Sequence, residues 1–364
     1  MQRNLIDSLA HFSALPLTVK APADNPQTEA KVQLGRMLFF DPILSGNKDV
    51  ACATCHLPDN GFSESLQISI GVNGRGRGSK RKFKKPNTIP FTQRNSQTVL
   101  NAAYNGMDFS DNYDPEQAPM FWDMRAKSLE KQALEPIKSL PEMRGAQIPE
   151  AEILDRVVER LAQIPAYRAM FTEAFAEEQP VNATNLAKAI ACYERTLVTN
   201  NSRFDQFMRG DEDALSISEK EGYQQFILSG CGSCHNGPMF SDYQMHVLGV
   251  PESEKLDSPD YGIDSSFAFR TPSLRNLRFT SPYMHNGSFY SLQRVLEFYE
   301  DIADGKMRNP NLSKADLDPL IRGIELRVIE MAPIISFLNS LNDDQFDKSM
   351  PESVPSGLPV GGNL

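Results

Sequence analysis

The chain has 364 residues, 40 % hydrophobic and 23 % charged, which suits a globular protein of two domains or one large one. Its net charge of −10 argues against a nucleic-acid binder. No apolar run approaches the length that crosses a bilayer, so no membrane span is expected.

In chain order, the start Met1-Gln2-Arg3-Asn4 lacks a signal-peptide pattern and fits either a cytoplasmic protein or a processed exported one. Cys52-Ala53-Thr54-Cys55-His56 is the first marked motif. Arg75 to Lys85 follows, with seven positive charges in an acidic chain. It reads as a solvated loop or as a docking patch for an acidic partner. Apolar residues at helical spacing predict helices over Ala151–Ala162, Asn182–Leu197 (capped by Asn182 or Thr184) and Ser216–Leu228. Cys192, inside the second of these, reads as a buried apolar filler. The motif Cys231-Gly232-Ser233-Cys234-His235 comes next, then helices over Leu292–Glu300 and Ile324–Leu341. No alternating strand run stands out, so the fold class is all-α. The Pro- and Gly-rich tail from Pro351 to Leu364 is expected to pack loosely or not at all.

Cys-x-x-Cys-His supplies two thiols for thioether bonds to haem and an imidazole for its iron. A thioredoxin-like pair needs no His, and a four-Cys zinc site leaves two adjacent His unexplained. Two covalent haems c are therefore expected, at Cys52/Cys55/His56 and Cys231/Cys234/His235. Covalent haem attachment in bacteria takes place outside the cytoplasm, which makes this a periplasmic protein with its signal removed. Separated by 179 positions, the motifs call for two haem domains. Their expected extents are 25–212 and 213–349, with a tail at 350–364.

The sixth iron position decides what each haem does. Between Leu57 and Cys234 there is no histidine, and upstream of the first motif there is only His11. The first haem can take Met107, Met120, Met124 or Met143, or remain open to peroxide. For the second, Met239, Met245, His246, Met284, His285, Tyr299, Met307 and Met331 are all candidates.

Several further stretches carry a resemblance. Leu38-Phe39-Phe40-Asp41-Pro42 precedes the first motif, and Arg94-Asn95-Ser96-Gln97-Thr98 and Phe121-Trp122-Asp123-Met124-Arg125 follow it. Pro141-Glu142-Met143 and Glu194-Arg195-Thr196-Leu197 come next, then Phe269-Arg270-Thr271-Pro272 and Pro282-Tyr283-Met284-His285-Asn286-Gly287. In this order, from about residue 30 to 345, the chain resembles the bacterial di-haem cytochrome c peroxidase/MauG superfamily. The resemblance implies two cytochrome c-like haem domains around an interdomain calcium site. It makes the first haem peroxide-reactive and the second a store of oxidising equivalents.

Two departures from conventional members point to the MauG-type branch. A His sixteen positions after the first haem His blocks the iron in conventional members, and here that place is Val72. A Met fourteen positions after the His-x-Gly histidine ligates their second haem, and here that place is Tyr299, as in MauG-type enzymes. Taken alone, Tyr299 would read as a core aromatic.

Position also carries over Trp122 as a relay between the haems, where core packing is the plainer role. Gln132 and Glu142 carry over as distal-pocket groups, with Glu142 the proton-moving carboxylate and Pro136 between them narrowing the pocket. Asn95, Thr280 and Pro282 carry over as calcium ligands, although by themselves they read as loop residues.

The implied function is a hydrogen-peroxide-dependent oxidoreductase. It forms a high-valent di-haem state and oxidises a residue, a tryptophan by preference, of a partner protein. The alternative is a peroxide scavenger fed by a small redox protein. A purely electron-transferring cytochrome is disfavoured by the open first site.

Overall fold

The structure is a computed structural model that describes residues 12–364, so His11 lies outside the described residues. The chain forms two compact units that are not consecutive halves. One comprises Val19–Ala103, Ala126–Val198 and Asp347–Leu364 and carries the first motif. The other comprises residues 12–18, Tyr104–Arg125 and Thr199–Phe346, and carries the second. Trp122 therefore belongs with the second motif, and the C-terminal tail with the first.

In the Cys52 unit, α1 (Glu29–Phe40) begins where Thr28 caps it through a bond from the Lys31 amide, and ends before Pro42. In α2 (Glu150–Gln163), Ile153, Val157 and Leu161 repeat every fourth residue and bury one stripe. Pro165 stops it and opens α3 (Pro165–Ala174). Asn182 caps α4 (Ala183–Glu194) by accepting from the Asn185 amide at 2.9 Å, settling the two cap candidates in its favour. Cys192 is fully buried in α4, as a filler should be. Helices α1 and α4 pack closely at Gly35, where a Cβ would lie 1.9 Å from the carbonyl oxygen of Ala189. Leu34, Leu38, Ile153, Val157, Phe171 and Ile190 build the core around this contact.

The Cys231 unit repeats the device. Ser216 and Glu219 form a reciprocal cap on α5 (Ile217–Leu228). Leu292–Ala303 is α6, and Val328–Ser340 is α7. A Cβ on Gly222 of α5 would lie 1.9 Å from the carbonyl oxygen of Pro333 in α7. The core is aromatic: Phe12, Phe204, Tyr223, Phe226, Phe240 and Phe337 meet mostly edge to face. A fully buried ion pair, Arg275–Asp205, ties the chain after the second motif to the short helix Arg203–Met208.

Two expectations are corrected. The helix foreseen from Ile324 starts only at Val328, because the stretch Pro319–Gly323 forms a separate tight turn. The tail is packed into the Cys52 unit. Its Gly361 donates to the Phe40 carbonyl at 2.8 Å, and Asn363 to that of Asp49 at 2.9 Å. Ser356 donates to Asp41 at 2.7 Å. Gly361 and Gly362 both take positive φ, 76° and 79°, which lets the chain double back onto Val50.

The sheet content among the described residues is limited to two-residue pairs. The one used below is β1 (Gly74–Arg75) against β2 (Lys82–Phe83), antiparallel, inside the basic segment.

Candidate functional site

The two haem motifs are built alike. Cys52–Cys55 forms one helical turn, and the His56 amide donates to the Cys52 carbonyl at 3.0 Å. Cys231–Ser233 forms a tight turn, and the His235 amide donates to the Cys231 carbonyl, also at 3.0 Å. His56 Nδ1 donates to the Phe62 carbonyl at 3.0 Å, and His235 Nδ1 to that of Phe240 at 2.9 Å. Each ring is thus oriented through Nδ1, and Nε2 is the nitrogen left for iron. Burial lowers both imidazole pKa values and favours the neutral, ligating form.

The four thiols of the motifs form no disulfides. Burial pushes the Cys52 and Cys231 thiols up to about 12, and Cys55 well above its usual value. Such sites suit an uncharged thioether better than a thiolate. The donor set, the ring orientation and the paired cysteines all fit a covalent haem at each motif.

Around the first motif, Glu64, Arg81 and Glu142 act electrostatically on the Cys55 sulfur, after burial itself. Glu142 lies on a single π turn, Leu140–Arg144, a local irregularity that recurs at functional sites. Its carbonyl accepts the Val72 amide at 3.0 Å. Gly71 allows this approach: a Cβ there would meet the Glu142 and Pro141 carbonyl oxygens at 2.1 and 2.3 Å. Val72 is fully buried in the apolar core.

The structure therefore brings Val72 and Glu142 together, with Glu142 in electrostatic reach of the first motif. Gln132 ends the short turn Leu129–Gln132 and is half-buried, and Pro136 sits in the next turn, Glu135–Lys138. Of the methionines considered for the first iron, Met143 is buried in this unit's core, whereas Met107, Met120 and Met124 belong to the Cys231 unit.

Around the second motif, Tyr299 projects from α6 between two apolar clusters. Burial raises its phenol pKa, and the Cys234 and Cys231 sulfurs add to that, which places the ring beside the motif. A phenol so held would ionise only against a strong local cation, which ferric iron would supply. Of the alternatives, His246 has both nitrogens committed, Nδ1 to Asp318 at 2.7 Å and Nε2 to Asp242 at 3.0 Å. It is a clamp between two carboxylates, and the bonds to Asp242 and Asp318 raise its pKa against burial. Met331 is fully buried in the α7 core, and Met307 packs against the cluster around Val250.

Trp122 sits in a turn where Phe121 and Met124 take positive φ, 67° and 54°. Its carbonyl accepts the Arg270 amide at 2.8 Å. Its indole meets His285 edge to face at 6.5 Å, and His285 stacks on Phe269 at 3.7 Å. This aromatic stack, in the Cys231 unit, engages His285 from two sides.

The calcium candidates stand as follows. Asn95 is buried and donates from Nδ2 to the Leu66 and Gln67 carbonyls at 2.7 and 3.3 Å. Thr280 closes the turn Leu277–Phe279, and Pro282 follows a cis peptide bond. Asn95 belongs to the Cys52 unit, Thr280 and Pro282 to the other.

Sequence reasoning missed three groups. Arg81, read as one loop cation among seven, is 1 % exposed, and its charge reaches the first motif. Glu194 is buried with its pKa pushed up to about 8 by burial, Arg195 opposing and Glu130 adding. The Asp242–His246–Asp318 clamp has no sequence signature, because its members are brought together only by folding.

Comparison with known proteins identifies the relatives. A family model described as di-haem cytochrome c peroxidase matches residues 29–213. The methylamine utilization protein MauG of Methylorubrum extorquens is 35 % identical over 356 residues, covering 96 % of this chain and 89 % of that protein. The cytochrome c551 peroxidase of Pseudomonas aeruginosa is 32 % identical over 347 residues, covering 92 % and 85 %. A crystal structure of a MauG-like protein associated with microbial copper homeostasis superposes with a TM-score of 0.72 at 28 % identity, covering 90 % of this chain and 95 % of that one.

Proposed function

We infer the function from one premise: the chain belongs to the di-haem cytochrome c peroxidase family. It is accordingly a peroxide-dependent oxidoreductase with haem c as cofactor. Within that class our reading is the MauG-type reaction, in which equivalents taken from hydrogen peroxide oxidise a side chain, a tryptophan by preference, on a partner protein. Bound haem supplies the redox chemistry at both motifs.

Each residue has a part. His56 would hold the haem iron that meets peroxide, and His235 with Tyr299 would hold the second. Glu142 takes a proton from the near peroxide oxygen and returns one to the leaving oxygen, with Gln132 helping to orient peroxide. Trp122 would serve as the redox-active side chain that relays oxidising equivalents from one haem to the other. Calcium on Asn95, Thr280 and Pro282 and a periplasmic location belong to the same reading, and rest on the resemblance.

The observation that carries it is Val72. It stands where conventional members place a blocking His, it is buried, and its amide is bonded to the Glu142 carbonyl. An aliphatic side chain offers no donor atom, so position 72 would leave a haem held at His56 open to peroxide. Tyr299 beside Cys231 and Cys234 supports the same branch.

Similarity to the cytochrome c551 peroxidases favours a second reading, peroxide scavenging with electrons from a small redox protein. One experiment separates them. The holoprotein is incubated with peroxide and a co-expressed candidate partner, and the partner is analysed by mass spectrometry. Oxygen gain or a cross-link on a tryptophan supports the first reading. Fast peroxide-driven oxidation of a reduced cytochrome, with the partner unmodified, selects the second. A ferric spectrum without a high-spin component defeats the first reading, which needs a first haem open at rest.

A further inference from the structure

The segment 75–85 carries seven cations and no carboxylate, in a chain of net charge −10. A flexible basic loop would be unremarkable, but this one is fixed. Strands β1 and β2 close it as a hairpin, with Gly74 opposite Phe83 and Arg75 opposite Lys82. Arg81 is the pin, buried and with its guanidinium turned inward. Its Nε donates to the Ile70 carbonyl at 2.5 Å and its Nη2 to that of Gly71 at 2.8 Å. Its Nη1 donates to the carbonyls of Gly76 at 3.1 Å and Asn363 at 2.8 Å.

The other six cations divide into two groups. Arg77 pairs with Asp59 at 2.7 Å and Lys84 with Asp49 at 3.5 Å. Arg75, Lys80, Lys82 and Lys85 are exposed and have no ion-pair partner among the described residues. Four unneutralised charges on an ordered hairpin form a field that a partner can read, with little ordering entropy left to lose on binding.

Location gives the patch its meaning. The Ile70–Gly71 carbonyls that hold Arg81 precede Val72, whose amide holds the Glu142 turn. Arg81 and Glu142 both act on the Cys55 sulfur. The base of the hairpin is thus beside the first haem motif.

We propose that the hairpin Gly74–Lys85 is the docking surface for an acidic protein partner of the reaction. The proposal rests on the reading that a protein, not a small molecule, gives up the electrons. Arg75, Lys80, Lys82 and Lys85 steer and hold that partner by charge, and Arg81 keeps the hairpin rigid against the first-haem wall.

The test uses the holoprotein and a variant, Arg75→Glu/Lys80→Glu/Lys82→Glu/Lys85→Glu. Lys255→Glu/Lys314→Glu, exposed cations elsewhere, is the control. The probes are an acidic and a basic small c-type cytochrome, each with zinc in place of iron so that fluorescence reports binding without turnover. The expected result is selective binding of the acidic probe, steeply weakened by salt and roughly tenfold or more weaker in the hairpin variant. The control should bind it as the wild type does. Equal binding of the acidic probe by wild type and hairpin variant overturns the proposal. So does a variant that loses affinity for anionic vesicles or a polyanion while the acidic cytochrome binds no protein form. Peroxide-driven oxidation of neutral hydroquinone is followed in parallel. Its loss in the wild type would count against the peroxidase reading, and its retention in the variant keeps the docking result separate from any fault at the haems.

Discussion

The backbone amide of Val72 donates to the backbone carbonyl of Glu142 at 3.0 Å, so position 72 and the turn that carries Glu142 are joined main chain to main chain. Replacing Val72 by His puts an imidazole where conventional members carry one, without disturbing that bond. We expect Val72→His to convert the ferric first haem from high-spin to low-spin. Its reaction with peroxide should fall by about a hundredfold until the protein is reduced. Ferric absorption spectra and stopped-flow peroxide mixing check both outcomes. A high-spin spectrum that persists at all pH values would show that position 72 does not face the iron.

Glu142 is argued to move protons, so Glu142→Gln keeps its shape and removes its base. General acid–base catalysis contributes roughly 10²–10⁴-fold, and a loss in that range is expected in the rate with peroxide. The ferric spectrum should be unchanged, because the side chain is not an iron ligand. A loss under about threefold would reduce Glu142 to a residue of the π turn.

Much of this was legible in the chain itself, for reasons that differ by element. The haem motifs are local, five residues each, and local chemistry survives in sequence. The helices α2 and α4 were legible because Ile153, Val157 and Leu161, or Asn182 at the cap, repeat a pattern set by helix geometry. α1 was missed: its buried Leu34 and Leu38 run into the Phe39–Phe40 pair without a clean polar face.

The tail was misjudged because Pro and Gly usually mark loose chain. Here Gly361 and Gly362 supply the positive φ that lets Thr54 donate to the Gly361 carbonyl at 2.7 Å. Arg81 was illegible for a different reason. Its four carbonyl partners come from residues 70, 71, 76 and 363, and no local pattern encodes a bond across 282 positions. Similarly, the buried clamp on His246 depends on Asp318, 72 residues away.

Tyr299 and the second iron give the third prediction. A phenolate oxygen is a hard anionic donor and a thioether a soft neutral one, so Tyr299→Met should raise the potential of the second haem. The variant should be reduced more readily in a spectroelectrochemical titration and should lose any tyrosinate-to-iron charge-transfer band. Tyr299→Phe should lose the band too. Identical ferric spectra in wild type, Met and Phe forms would leave Tyr299 as a core aromatic.

The fourth prediction concerns stability. Asp205 accepts both Arg275 guanidinium nitrogens, at 2.9 and 3.0 Å, and both side chains are almost wholly buried. Burial alone would raise the Asp205 pKa, but the Arg275 charge and bonds from Arg275, Ser202 and Leu15 bring it below its usual 3.8. A carboxyl depressed in the folded state adds stability above its unfolded pKa and loses it as pH falls through the folded value. The contribution is therefore intact at neutral pH and disappears in acid below about pH 3.8. Asp205→Asn removes it and strands the Arg275 charge in the core, at a cost of about 3–5 kcal/mol. Urea unfolding at pH 7 should show that loss. As the pH falls below about 3.8, the variant should lose less further stability than the wild type, because the group that titrates there is gone. Parallel acid limbs in the two proteins would mean that other carboxylates govern the acid transition.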